Sequence, residues 1–157
     1  MEDDEERGRR VVRSKEGQAP PAPPWTDLRG LHAFLIEDNV DTRTMVTEVL
    51  AHCGAVVTAY RSADQALADL AEFVPSVFIC DLSMPGLDGL SFLRRIRSLV
   101  PDRGGSIPAI AITAYYEEFA AAAALEAGYN AYMTKPIKLE ALCRLVGELT
   151  RGASPAP

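Results

Sequence analysis

Cysteine is scarce in this 157-residue chain, and the three present, Cys53, Cys80 and Cys143, lie far apart with no CxxC pair among them. That spacing offers neither a disulfide framework nor a structural zinc site, and each sits in an apolar stretch, so all three are read as small buried hydrophobes. Long hydrophobic runs are missing too. The longest, such as Ala109 to Ile112 and Phe119 to Leu125, fall well short of the roughly 18 residues a membrane span requires. The N-terminus MEDDEER lacks the basic start and apolar stretch of a signal peptide, so a cytoplasmic protein without membrane insertion is expected. A basic excess is also absent. Sixteen Lys and Arg against 22 Asp and Glu leave a formal charge of -6, which disfavours direct binding to a nucleic-acid backbone. No Walker loop or GxGxxG occurs, so the usual glycine-rich phosphate cradles are excluded.

What is present fits a folded domain. Apolar residues make up 48% and charged residues 24%, close to globular averages, and the length leaves room for one domain and a tail. Residues 1 to 30 combine an acidic run from Glu2 to Glu6, a basic cluster from Arg7 to Arg13, and the segment APPAPPW. Such a stretch cannot bury enough apolar surface to offset chain entropy, so it is expected to be a disordered or polyproline-like tail.

From Leu31 onward short apolar runs alternate with helical patterns. Ala33 to Ile36, Ala55 to Thr58, Val77 to Cys80, Ala109 to Ile112 and Ala131 to Met133 are strand-length and mostly continuous, as strands covered on both faces of a parallel sheet are. Between them, Met45, Val46, Val49, Leu50 and Cys53 recur at helical spacing, as do Leu90, Leu93, Ile96 and Leu99. Ser62 with Gln65 reads as a capping box opening another helix, and further helices are expected over Glu117 to Ala127 and Leu139 to Leu149. Gly54 and Gly128 stand where C-terminal caps belong. Strict alternation predicts an α/β fold over residues 31–150, a doubly wound five-stranded parallel sheet with five helices, followed by a short disordered tail over 151–157.

Functional groups in such a sheet belong at the carboxyl ends of the strands, near the point where strand order reverses. The first strand ends in Glu37-Asp38, the third in Asp81, the fourth in Thr113, and the fifth runs into Lys135-Pro136. Three carboxylates on one rim repel one another unless a cation sits among them, and oxygen ligands select a hard divalent ion such as Mg2+. Lys135 at the same rim is a point charge suited to a carboxylate or a phosphoryl group. The turn Met84-Pro85-Gly86 can bring a backbone carbonyl toward the ion. Cys80, one residue before Asp81, should point to the opposite face, into the core.

These residues resemble the receiver domain of two-component response regulators, the family that includes the chemotaxis regulator. The matching segments are Leu35-Ile36-Glu37-Asp38-Asn39, Asp81 through Gly89, Thr113-Ala114 and Lys135-Pro136, and the resemblance covers residues 31–150. It implies a flavodoxin-like fold and a phosphoacceptor role for Asp81, supplied by a histidine kinase or a histidine phosphotransfer protein. Asp38 matches the direct metal ligand, Glu37 the acidic neighbour that reaches the ion through water, and Ser83 the residue whose backbone carbonyl also ligates. Thr113 matches the hydroxyl that turns toward the phosphoryl oxygen, Tyr132 the aromatic that moves with it, and Lys135 the cation that pairs the new charge, with a cis peptide before Pro136. The implied output is a switched surface for a downstream protein effector, with no output domain in the chain. Here Tyr129-Asn130-Ala131 and the alanine run 120 to 124 stand where winged-helix relatives carry charged dimer contacts.

Two other classes are less consistent with the residues. A haloacid-dehalogenase-like phosphatase needs a second acid two residues after its nucleophile, where this chain has Ser83. A flavodoxin-like cofactor module needs a hydroxyl- and glycine-rich loop after the first strand, where Glu37-Asp38-Asn39-Val40-Asp41 would repel a phosphate.

Overall fold

The computed structural model describes residues 9–12, 26–84, 86–114 and 118–153. Its elements run β1 (Arg9–Val12), β2 (His32–Ile36), α1 (Val40–His52), β3 (Val56–Tyr60), α2 (Ala63–Asp69), β4 (Val77–Asp81), α3 (Gly89–Arg97), β5 (Ala109–Thr113), α4 (Glu118–Ala127), β6 (Ala131–Thr134) and α5 (Leu139–Ala153). Strands β2 to β6 pair in parallel in the order β3-β2-β4-β5-β6, with register contacts such as Leu35 with Ile79 and Ile110 with Ala131. The order reverses at the β2/β4 pair, so Glu37 and Asp81 leave adjacent strands on either side of the switch point.

The continuous apolar runs are explained by cover on both faces. One layer packs Val46, Val49 and Leu50 of α1 and Leu142, Cys143 and Val146 of α5 against Leu35, Ile79 and Ile112. The other packs Ala63 of α2, Phe92 and Ile96 of α3 and Ala124 of α4 against Phe34, Phe78 and Ala111. That second layer is an aromatic chain: Phe34 meets Tyr60 at 5.0 Å between centroids, and Phe78 meets Phe92 at 5.6 Å, both edge to face. Each such pair adds about 0.5 to 1.5 kcal/mol beyond the area it buries.

Two features depart from the sequence expectation. The sheet has six strands, because Arg9–Val12 adds to the β3 edge antiparallel, pairing Arg9 with Tyr60 and Val12 with Val57. The segment lies within the stretch expected to carry no structure. Its physical basis is local: β3 would otherwise present an unpaired edge, Val11 and Val12 favour extended backbone, and Arg9 pairs with Asp69 at 2.9 Å. Asp69 also accepts a 2.8 Å hydrogen bond from the Tyr60 hydroxyl. The lead-in to β2 is fastened as well, with Leu28 fully buried and its amide donating to the Cys53 carbonyl at 2.8 Å.

The helix ends follow the sequence in part. Asn39 caps α1 by accepting from the Thr42 amide, Asp88 caps α3 by accepting from Ser91, and Gly54 and Gly128 take positive φ after α1 and α4. Ser62 does precede α2 in extended conformation, but its side chain makes no capping bond. Helix α5 continues through Ala153, into the stretch expected to be a tail. The expected start of α4 at Glu117 lies outside the described residues, as does Pro85. The three thiols are free and buried, with Cys53 and Cys143 bridging α1 and α5 at 3.7 Å and Cys80 in the opposite layer. Among the described residues no helix is long and apolar enough to cross a membrane.

Candidate functional site

Strand β2 delivers Glu37 and Asp38 to the carboxyl rim, β4 delivers Asp81, and the turn after β6 delivers Lys135. Each of the three acids has a carboxylate oxygen within 4.8 Å of the others. Glu37 is fully buried and Asp81 only 4% exposed, whereas Asp38 faces solvent. Lys135 Nζ stands between the buried pair, 2.7 Å from Glu37 Oε1 and 3.4 Å from Asp81 Oδ2. The cleft above them is lined by Asp38, Asn39, Val40, Asp81, Ser83, Ala114 and Lys135.

Electrostatics follow from this crowding. Burial, reinforced by the neighbouring Asp81 carboxylate and opposed by Lys135, pushes the Glu37 carboxyl up to about 7. Burial pulls Lys135 down, but Glu37 and Asp81 outweigh it and hold its proton above the usual lysine value. One cation therefore serves two buried acids, leaving the cluster short of positive charge. The donor set is oxygen only and partly open to solvent, which fits a hard divalent ion. Glu37, Asp38 and Asp81 are the side chains that could hold it.

The backbone supports these groups. The Ser83 amide donates to Asp81 Oδ1 at 3.0 Å, and the Asn39 amide donates to Glu37 Oε2 at 3.3 Å. The Lys135 amide donates to the Thr113 carbonyl at 2.7 Å, and the Lys135-Pro136 peptide is cis. Gly86 has a φ of 80°, the left-handed conformation that the turn after Ser83 required. Thr113 is fully buried at the end of β5, and Tyr132 is half-buried against the α2/α3/α4 layer. Ala111 pairs with Tyr132 in register, and residues two apart along a strand share a face, so Thr113 and Tyr132 lie on the same side of the sheet. Cys80 lies in that layer too, its thiol fully buried and pushed well above the usual value by desolvation.

Several supporting residues escaped the sequence reading. Arg43 Nη1 donates to the Glu37 carbonyl at 2.9 Å and to the Asp38 carbonyl at 3.3 Å, fixing the backbone that carries both acids. At Gly89 a Cβ would stand 2.5 Å from the Asp81 carbonyl oxygen, so α3 can start this close to the acceptor strand only without a side chain. A glycine at the first position of a helix, directly after a capping Asp88, was the available signal. Tyr129, in the segment compared with dimer contacts, is buried and donates its hydroxyl to the Gly89 carbonyl at 2.7 Å. Asn130 Oδ1 accepts from the Ala109 amide at 2.9 Å and from Arg97 at 3.1 Å.

The sequence and the fold both have relatives. The profile of the response regulator receiver domain matches residues 33–147. An uncharacterized 14.6 kDa protein of Leptolyngbya boryana is 38% identical over 119 residues, covering 76% of this chain and 89% of its own. The DNA-binding transcriptional regulator NtrC of Salmonella typhimurium is 31% identical over 118 residues, covering 75% of this chain but only 24% of the regulator. Among solved structures, the signal receiver domain of a histidine kinase from Syntrophus aciditrophicus superimposes with a TM-score of 0.74 at 25% identity, over 82% of this chain and 96% of that one. A response regulator from Chloroflexus aurantiacus gives 0.73 at 27% identity, over 77% and 98%. With an acid pair at the switch point, a buried acidic strand end on β4 and a lysine from β6 joining them, the chain belongs to the receiver-domain family of two-component response regulators.

Proposed function

We propose that Asp81 is the phosphoacceptor of a signalling switch, charged by a histidine kinase or a histidine phosphotransfer protein with Mg2+ as cofactor. The observation that carries the reading is the trio of Glu37, Asp38 and Asp81 with Lys135 Nζ reaching both buried members. A surface carboxylate cluster is common, but two buried acids sharing one lysine are electrostatically incomplete, as a site that takes up a cation has to be.

Glu37, Asp38, Asp81 and the Ser83 backbone carbonyl would hold the ion. Bound there, it supplies neutralising charge and orients the transferred oxygens. The Asp81 carboxylate attacks phosphorus, the bond to the donor imidazole nitrogen breaks, and an aspartyl phosphate results. The Ser83 amide, already donating to Asp81 Oδ1, holds the nucleophile in one orientation. Lys135 pairs with the incoming negative charge, and the Thr113 hydroxyl supplies a hydrogen bond to the phosphoryl group.

That last bond is the basis of the switch. Thr113 and Tyr132 share a face, so a turn of the threonine toward the site changes the space next to the tyrosine, and a two-state surface over α4, β6 and α5 follows. The alanine run and the internally engaged Asn130 leave the α4 and β6 part of this face short of charge, which favours a protein effector over a salt-bridged homodimer. With Ser83 where a phosphatase carries its second acid, the domain signals rather than turning over external phosphoesters.

Intact-mass measurement after exposure to a small phosphodonor tests the assignment. One phosphoryl group is expected on the wild type with Mg2+, none without it, and none on Asp81→Asn. Labelling of Asp81→Asn, or labelling indifferent to removal of the metal, would refute it.

A further inference from the structure

The three carboxylates of the acidic site are held by unequal means. Glu37 is fully buried and Asp81 only 4% exposed, and both meet Lys135 and a backbone amide. Asp38 has neither kind of support. It is exposed, and among the described residues its carboxylate takes part in no hydrogen bond or ion pair. Its carboxylate nevertheless stands within 4.8 Å of the other two. Where neither packing nor a partner fixes a side chain, the direction in which it leaves the chain is set by the backbone.

That backbone is tied to α1 by Arg43, whose Nη1 donates to the Glu37 carbonyl at 2.9 Å and to the Asp38 carbonyl at 3.3 Å. Those carbonyls belong to the peptide planes on either side of the Asp38 Cα, and planar peptides leave only φ and ψ free between them. Fastening both planes to one nitrogen restricts both torsions and so aims the Asp38 Cβ. Arg43 is half-buried and rises from the first turn of a helix whose start Asn39 caps, so the donor stands on a rigid element. Its charge has the wrong sign to attract a metal. The N-terminus of α1 is already partly positive, and a guanidinium beside the acids repels an incoming cation. What Arg43 offers such an ion is geometry.

We infer that Arg43 is a positioning residue for the divalent ion: by holding the Glu37 and Asp38 carbonyls it keeps the exposed Asp38 carboxylate turned toward Glu37 and Asp81. The inference rests on the metal reading of the acidic trio and adds to it a residue that acts through the backbone alone. It also fixes the sign of a mutational effect. Loss of a cation near a cation site tightens binding if charge is what matters, and weakens it if the hydrogen bonds do.

Mg2+ is titrated into the full chain without a phosphodonor, at constant ionic strength, and amide shifts are followed by nitrogen-15 NMR. Saturable shifts at Asp38, Asp81 and Ser83 are expected for the wild type. Arg43→Met keeps the stem and removes every donor, and should bind the ion about tenfold more weakly, as loss of a group that orients metal ligands does. Arg43→Lys keeps the charge without the planar fork and should fall between the two. In metal-free Arg43→Met the order parameters of the Asp38 and Asn39 amides should drop, a local change that a general loss of stability does not produce. Phosphoryl uptake by that variant should need more Mg2+ for its half-maximal rate, with the deficit narrowing as the metal saturates. Arg61, which lines a cleft with Arg43 but holds neither carbonyl, serves as the charge control, and Arg61→Met should not weaken binding. Tighter or unchanged Mg2+ binding in Arg43→Met, or an equal loss in Arg61→Met, would overturn the inference while leaving the metal site standing. A wild type that binds no Mg2+ would overturn the metal reading itself, and this inference with it.

Discussion

Glu37→Gln isolates the energetic cost of a buried acid. In the folded chain the Glu37 carboxyl sits at about 7 against a reference of 4.5, because it is fully buried beside Asp81. A carboxyl whose folded value is raised binds more protons folded than unfolded between those two values. Stability from this group is therefore highest below about pH 4.5, falls as pH rises toward 7, and is level above. At about 1.4 kcal/mol per unit the full swing is about 3 kcal/mol. Urea unfolding of wild type and Glu37→Gln without metal, from pH 4.5 to 8.5, measures it. The stability difference, variant minus wild type, should grow with pH by about 1 to 3 kcal/mol, since other titrating groups cancel and the Lys135 contact is already contained in the raised value. Asp81→Asn should flatten the wild-type slope only in part, because burial, the leading cause of the raised value, remains. Saturating Mg2+ should remove the fall, because the ion binds the deprotonated pair. A difference flat to within about 0.5 kcal/mol would refute the buried-acid reasoning.

Other outcomes follow from single contacts. Thr113→Ala should still accept phosphate on Asp81 but lose most of the shift at Tyr132 on activation with beryllofluoride, read by NMR. Gly89→Ala forces a Cβ to 2.5 Å from the Asp81 carbonyl and should destabilise the fold by about 1 to 3 kcal/mol in urea, as overpacking does. Asn130→Ala deprives the Ala109 amide and Arg97 of their acceptor and should cost about 1 to 3 kcal/mol, with no change in sedimentation. Dimerisation of wild type on activation that dissolves at high salt would contradict the reading of the α4-β6-α5 face.

Much of the fold was legible because burial on both faces writes itself as unbroken apolar runs, and Phe34, Ile79 and Ile110 follow that rule. The site acids were legible because a parallel sheet leaves only its strand ends for chemistry, and Glu37, Asp38, Asp81 and Lys135 stand there. Strand β1 was not. Four residues with two arginines carry no periodicity, and what makes Arg9–Val12 a strand is the open edge of β3 and the distant Asp69. Ser62 shows the converse: the capping motif is present, yet helix α2 forms without its bond. Asn130 reads as a missing charge in sequence, whereas its amide oxygen closes a backbone gap 21 residues away.

The thiols offer an internal clock for opening. Cys53 and Cys143 report on the α1/α5 layer and Cys80 on the other, and Cys143 is pushed up to about 12 by burial and its neighbour. None can meet an aqueous disulfide reagent until its own layer parts, so each modification rate measures one layer's breathing rather than a surface reaction. Comparing those rates with and without activation would show which half of the sandwich loosens when the signal arrives, with the native cysteines themselves as probes.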